Sequence, residues 1–440
     1  MARVLLVAPP SGDIPFAVPM GLLAVVPRLD VPVRGMFSEE MRPEHARPAE
    51  ILLLPIHWYY SIEPAARIAR EARRQSPGLQ VIAGGYTATA YADLLLERVG
   101  VDYVVRGDAE RALPALVRRL LDGDDPRAVP ALSWRGGSTP FGEPLGEADL
   151  AGVEARDISW FPSFERAALA SQRLADPSFL FPWVTVSRGC RFDCPGCYAA
   201  RDAQRALTGR GHVRRPAGAV RSELARWSAH PEIRWVHFNA DFVSTLGREW
   251  SEEALDGRFD LTAYYEWYRA PSASDLDLVL SRFPDTVFGF FLEPGGECAL
   301  PGSDRDAAQR VAEAARRCRG RARVLLYVTP KLAGTSPSYP AEVRRVARAG
   351  RAELKRFDHV DLPPVTGRNP DQRRADFERL AAESRGQRRR LRLQHAVLRA
   401  AVAGRGPLYG WMWKVSGWST RFGLWRHALG ARFGGAPRRR

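Results

Sequence analysis

Cysteine is scarce in this chain, with five in 440 residues and none before Cys190. That excludes a disulfide framework, which would spread paired cysteines along the length of a secreted scaffold. Long apolar runs are also missing. The opening run from Val4 to Ala8 is too short for a signal peptide and is broken by Pro9 and Pro10. A reducing, cytoplasmic setting is therefore expected. Acidic residues are absent from one stretch: between Arg385 and Arg440 stand thirteen arginines and Lys414 with no aspartate or glutamate, which accounts for nearly all of the +15 net charge. The body is close to neutral, which counts against a nucleic-acid surface spread over the fold.

Three of the five cysteines stand together. Cys190, Cys194 and Cys197 are spaced C-x3-C-x2-C, so one loop supplies three thiolates, one fewer than a closed zinc site or an all-cysteine cluster requires. One metal position is left open. Cys298 and Cys318 lie about a hundred residues on, and His212 sits among arginines, so a zinc knuckle has no evident fourth ligand. Trp183 to Arg188 reads as a short buried strand delivering Gly189 and Cys190 into a turn, which Pro195 and Gly196 tighten.

Ahead of this loop, short apolar runs alternate with helical patterns. Arg3–Ala8, Ile51–Leu54, Leu79–Ala83 and Val101–Val105 are runs of the kind parallel sheets use. Ala65, Ile68, Ala69 and Ala72 share one face of a helix that Ser61 is placed to cap, and Leu113, Leu116, Val117, Leu120 and Leu121 stripe another. This predicts a doubly wound, Rossmann-like α/β domain over residues 1–130, with its ligand crevice at the carboxyl ends of the strands. Gly84 and Gly85 follow a strand there and permit close backbone approach to a ligand or a tight turn.

Residues 131–180 carry Pro130, Gly136, Gly137, Pro140 and Pro144 in or beside them and read as a linker. Five strand candidates follow the one at Trp183: 234–239, 261–267, 287–293, 324–328 and 357–362. Helical segments at 304–318 and 340–349 lie among them. Six β/α units over 181–375 make a partial barrel whose active groups belong at the strands' carboxyl ends. Residues 376–440 form a basic helical C-terminal tail that interleaves arginine with Trp411, Trp413, Trp418, Phe422, Trp425 and Phe433. That pattern suits an interfacial helix on anionic lipid, an acidic partner or RNA.

The cysteine run resembles the signature of the radical SAM superfamily. The resemblance implies that Cys190, Cys194 and Cys197 hold a [4Fe-4S] cluster whose fourth iron takes S-adenosylmethionine (SAM). Four ordered stretches, Val4–Pro10, Pro19–Leu22, Val81–Thr87 and Val101–Glu110, resemble the cobalamin-binding domain of one branch of that superfamily, although the D-x-H-x-x-G motif is absent. The resemblance extends the expected cofactors to cobalamin, with Gly84 and Gly85 beside its nucleotide tail. For SAM it points to Tyr198 near the adenine, to Asp241 after the second strand together with Asn239, to Glu266 and Arg269 after the third, and to Glu293 after the fourth. Cys298 is either a hydrogen donor at the rim or a packed thiol.

The chemistry so implied is reductive cleavage of SAM to a 5'-deoxyadenosyl radical. Two outcomes stay open: cobalamin-dependent methylation of an unactivated carbon, or dehydration, epimerisation, cyclisation or rearrangement without cobalamin. A zinc-knuckle nucleic-acid-binding protein is the distant alternative. The implied partners are a reductant such as flavodoxin or ferredoxin, a small-molecule, lipid or peptide substrate, and a membrane surface touched by the tail.

Overall fold

The computed structural model describes residues 2–10, 18–154, 157–172, 182–193, 197–292, 307–328, 339–356 and 367–386. Strands β1 (Val4–Ala8), β2 (Val33–Phe37), β3 (Ile51–Pro55), β4 (Gln80–Gly84) and β5 (Tyr103–Val105) form a parallel sheet in the order β2-β1-β3-β4-β5. β1 and β3 are buried at every position, as strands covered on both faces must be. The chain steps from β1 out to β2 and then back across to β3, so the order reverses between β1 and β3. In a doubly wound sheet, that reversal opens a crevice at the carboxyl edge.

Two features of this sheet were not legible as strands. β2 is an edge strand containing Arg34 and Gly35, which interrupt its apolar run. β6 (Leu132–Trp134) and β7 (Gly137–Ser138) add an antiparallel hairpin beside β5, so residues 132–138, read from sequence as the start of a linker, belong to the first sheet. Ser61 does not cap the helix Ile62–Gln75. Its own backbone is already helical, and its hydroxyl donates instead to Pro10 O at 3.1 Å, tying the end of β1 to the loop after β3.

The second sheet contains β8 (Trp183–Val184), β11 (Trp235–Phe238), β12 (Thr262–Trp267), β13 (Asp285–Leu292), β14 (Arg323–Val328) and β15 (Glu353–Arg356), all parallel and in that spatial order. The single strand expected over 183–188 is divided. β8 stays in the parallel sheet, while β9 (Ser187–Arg188) turns away to pair with β10 (Val213–Arg214) and carries the cysteine loop with it. The run expected at 357–362 lies outside the described residues, and β15 ends just before it.

Alternation along β12 separates two environments. Ala263, Tyr265 and Trp267 pack outward into a core shared with the first sheet through Leu6, Phe161, Val184 and Val186, whereas Tyr264 and Glu266 face the concave side. The helix Pro370–Gly386 then returns to the first domain, where Phe377, Leu380 and Ala381 join the core beneath β1, β3 and β4. Burying each of the two larger side chains contributes roughly 1.5–3 kcal/mol. The helix thus straddles the boundary expected at residue 376. Among the described residues no helix is long and apolar enough to cross a membrane.

Candidate active site between the two sheets

The cysteine loop is built from its base upward. Gly189 adopts φ +70° just before Cys190, and a Cβ there would meet Gly211 O at 2.9 Å, so the turn requires glycine. Across the base, Arg201 N donates to Phe192 O at 2.9 Å, Asp202 N to Asp193 Oδ1 at 2.8 Å and Ala200 N to Cys197 O at 3.0 Å. These bonds close the loop against the start of the helix Arg201–Thr208. Cys190 is half-buried and Cys197 exposed; Cys194 lies outside the described residues.

At the carboxyl end of β12, Tyr268 and Arg269 approach this loop. The Arg269 guanidinium lies over the Phe192 ring at 4.1 Å, and its Nε is buried with no hydrogen-bond partner among the described residues. That is an uncommitted donor beside the loop, of the kind a carboxylate takes up. Tyr268 is 37% exposed, the one large ring exposed among the described residues, and its hydroxyl lies near Glu266, Asp241, Cys197 and Cys190.

Glu266 faces the concave side below them. Burial pushes its carboxyl up to about 7, against a smaller opposing effect of the hydrogen bond it accepts from Tyr264 Oη at 3.0 Å. Tyr264 also meets the Tyr327 hydroxyl, and Phe291 stacks on Tyr327 at 4.9 Å. His237, packed edge-on against Trp183 and Tyr264, is pushed down to about 3 by burial and is neutral, with Nε2 4.0 Å from Glu266. The concave face is therefore a set of rings around one protonatable carboxyl.

Three of the sequence-based candidates take other positions. The Asp241 carboxylate is fully buried and committed: it accepts from Ser244 N at 3.0 Å, Tyr265 Oη at 2.7 Å and Tyr268 N at 3.0 Å. It fixes Tyr268 and starts the helix Phe242–Leu246. Asn239 holds the backbone of Val186 and Ser187. Tyr198 is buried against the first domain, its hydroxyl against that of Tyr91, whose ring lies 5.6 Å from Phe377. Glu293 and Cys298 lie outside the described residues.

On the first domain, the crevice between β1 and β3 presents His57 in the loop after β3. Gly85 has φ +109°, and a Cβ there would lie 2.7 Å from His57 Cα, so only glycine lets the two loops touch. A Cβ on Gly84 would make only an ordinary contact, 3.6 Å from Val105 O. The His57 ring rests on Tyr86 at 4.5 Å and is held neutral, burial pushing it down to about 4. Tyr86 in turn feels the charges of Arg188, Arg210, Asp108 and Cys197, which places the crevice beside the cysteine loop. His57 and the ion pairs that Asp108 makes with Arg188 and Arg210 were missed from sequence, although Asp108 stands in a stretch that carries the resemblance and Arg188 stands just before the cysteines.

The fold so assembled, a doubly wound sheet joined to a six-stranded parallel sheet that carries a cysteine loop, is similar to the fold of solved cobalamin-dependent radical SAM enzymes. Residues 40–117 match the family model of the B12 binding domain. The chain is similar to the structure of the radical S-adenosylmethionine methyltransferase TsrM from Kitasatospora setae with tryptophan substrate and a SAM analogue bound. The identity is 16%, the match covers 81% of this chain and 73% of that one, and the TM-score is 0.60. The same enzyme with cobalamin and a [4Fe-4S] cluster gives 14% identity over 81% and 72%, with a TM-score of 0.57. The cobalamin-dependent radical enzyme OxsB, with aqua-cobalamin and SAM bound, gives 12% identity and a TM-score of 0.51. This chain spans 88% of its own length in that match but 56% of OxsB. No curated protein matches the chain by sequence.

Proposed function

We propose that the protein is a cobalamin-dependent radical SAM methyltransferase acting on an unactivated carbon. The observation that carries this reading is the position of the cysteine loop, between the β1/β3 crevice and the ring-lined concave face of the barrel. The donor set fits both groups. Cys190, Cys194 and Cys197 are three soft thiolates from one loop, suited to a [4Fe-4S] cluster with one open iron. The neutral His57, whose ring nitrogens make no hydrogen bond to the described residues, and the close Gly85 turn suit a corrinoid at the crevice. When bound, the cluster supplies the electron that splits the SAM sulfonium and the corrinoid supplies a transferable methyl group.

The chain's own residues do the rest. Arg269 presents its Nε to the SAM carboxylate, Glu266 accepts from an amine or hydroxyl, and Trp183, Tyr264, Phe291 and Tyr327 exclude water from the radical's path. Electrons come from a one-electron donor such as flavodoxin or ferredoxin. The substrate is a small molecule, lipid or peptide, and the Arg/Trp-rich residues 387–440 make a peripheral contact with anionic membrane. Binding of the full-length protein to anionic vesicles at low salt, lost on removing 387–440, checks that last assignment.

Anaerobic reconstitution with iron, sulfide and hydroxocobalamin tests the core of the reading. The expected result is about four irons with matching sulfide, corrinoid retained through gel filtration, and 5'-deoxyadenosine on reduction with SAM. Cluster and SAM cleavage without corrinoid leave a radical SAM enzyme catalysing dehydration, epimerisation, cyclisation or rearrangement. Zinc without sulfide removes both readings in favour of a zinc knuckle.

A further inference from the structure

Four buried charges join the first domain to the start of the cysteine loop. Asp108, in the turn after β5, accepts from Arg210 through two bonds, Nε to Oδ2 at 2.5 Å and Nη2 to Oδ1 at 2.8 Å, and from Arg188 Nη1 at 2.9 Å. Glu110 pairs with the other arm of Arg188. The side chains are 13%, 4%, 15% and 1% exposed for Asp108, Arg210, Arg188 and Glu110, so solvent screens none of them well. Burial alone would raise the Asp108 carboxyl, but the hydrogen bonds and charges of Arg210 and Arg188 outweigh it and hold the group below the usual carboxylate range. Burial would likewise lower Arg188, and Glu110 and Asp108 reverse that.

The network does more than join two domains. Arg210 Nη1 also donates to Arg188 O at 3.2 Å and to Gly211 O at 2.9 Å, so the guanidinium that grips Asp108 also fixes the backbone two residues before Cys190. At the same place Gly107 lets the domains touch, since a Cβ on it would lie 3.1 Å from Thr208 Cα. Tyr86, on the crevice side, feels Arg188, Arg210, Asp108 and Cys197 together. The clamp therefore sits where the first domain meets the backbone that leads into Cys190.

We propose that Asp108 is a positioning residue for the cluster loop: through Arg188 and Arg210 the first domain fixes Cys190 and sets the charge around the iron. The proposal rests on the functional reading above. Removing the carboxylate leaves Arg210 and part of Arg188 uncompensated near the cluster, which favours its reduced, more negative form. Removing Arg210 does the opposite.

The test uses the full-length protein, reconstituted anaerobically, with the cluster's midpoint potential followed by EPR-monitored titration. Asp108→Asn should raise the potential, Arg210→Gln should lower it, and Asp108→Glu should return it toward wild type. A loosened fold gives no such opposite signs. If wild type assembles its cluster while both variants titrate at the wild-type potential, or shift in the same direction, the proposal is overturned and the functional reading stands. If wild type carries no iron–sulfur cluster, both fall. Should Asp108→Asn fail to fold, Arg210→Gln decides alone: a lowered potential supports the clamp and an unchanged one overturns it.

Discussion

Asn239, one residue past the end of β11, accepts a hydrogen bond from Val186 N at 2.8 Å through Oδ1 and donates through Nδ2 to Ser187 O at 3.0 Å. One side-chain amide thus satisfies backbone groups at the point where β8 and β9 part company and the parallel ladder to β11 has ended. Asn239→Ala leaves a donor and an acceptor stranded beneath the cysteine loop. The expected loss is about 1–3 kcal/mol per stranded group, with iron held less well after reconstitution. Asn239→Asp keeps the acceptor only and should fall between. Urea unfolding of the apo-protein measures the first effect, and an alanine variant with the wild-type midpoint contradicts it.

Gly85 gives a second prediction. Its φ of +109° and the 2.7 Å that would separate an added methyl from His57 Cα leave no room for a side chain. Gly85→Ala should cost about 1–3 kcal/mol from backbone strain alone. Because the displaced partner is the backbone of His57, the crevice should also lose corrinoid faster in gel filtration. Gly84→Ala is the comparison, since its Cβ would lie 3.6 Å from Val105 O and needs nothing to move. Equal corrinoid retention in the two variants would argue that the crevice is elsewhere.

Legibility in the sequence followed local signal. β1, β3, β12 and β14 are largely apolar runs, and each was placed within about two residues because a strand buried over most of its length offers few polar positions to confuse the reading. β2 was hidden because an edge strand tolerates Arg34 and Gly35. The division of 183–188 into β8 and β9 was hidden for a different reason: the residue that stabilises it, Asn239, is 53 positions from Val186. Asp241 and Tyr198 show the limit at the site itself. Their residue types and places suggested ligand contact, yet their polar atoms are directed by Tyr265, Tyr268 and Tyr91, partners that only the folded chain brings near.

The three described cysteines divide by environment. Cys190→Ser and Cys197→Ser should each abolish sulfide retention on reconstitution while leaving the far-ultraviolet circular dichroism unchanged, because the base of the loop is closed by backbone and Asp193 bonds that need no metal. Cys318 is fully buried at the end of the helix Ala307–Arg317, and burial pushes its thiol up to about 12, so it is a packed, inert side chain. Cys318→Ala should keep full iron and sulfide content at a cost of about 1 kcal/mol for the lost volume. Iron loss in that variant comparable to the loop variants would mean that the cluster draws on a cysteine outside the loop.

Glu266 makes stability depend on pH with a definite sign. Its ordinary value is 4.5 and burial raises it to about 7 in the fold. Below about pH 4.5 both folded and unfolded chains carry the proton, and the group has no effect on stability. Between there and about pH 7 the unfolded chain releases the proton while the fold keeps it, so stability falls as pH rises, and above that range the full cost of the buried carboxylate is reached. The shift corresponds to about 3 kcal/mol at most, since the side chain is 23% exposed. Its neighbour His237 is pushed down to about 3 in the fold from an ordinary 6.5, so it makes stability rise with pH over part of the same window, and the difference between wild type and a Glu266 variant cancels that contribution. Glu266→Gln removes the titrating group while keeping an acceptor for Tyr264. The stability of wild type minus that of the variant, from denaturant unfolding of apo-protein between pH 4.5 and 8, should therefore decline as pH rises and level off above about 7. A flat difference would mean that Glu266 is ionised in the fold at all these values, and the concave face would then hold a fixed negative charge in place of a carboxyl able to donate a proton.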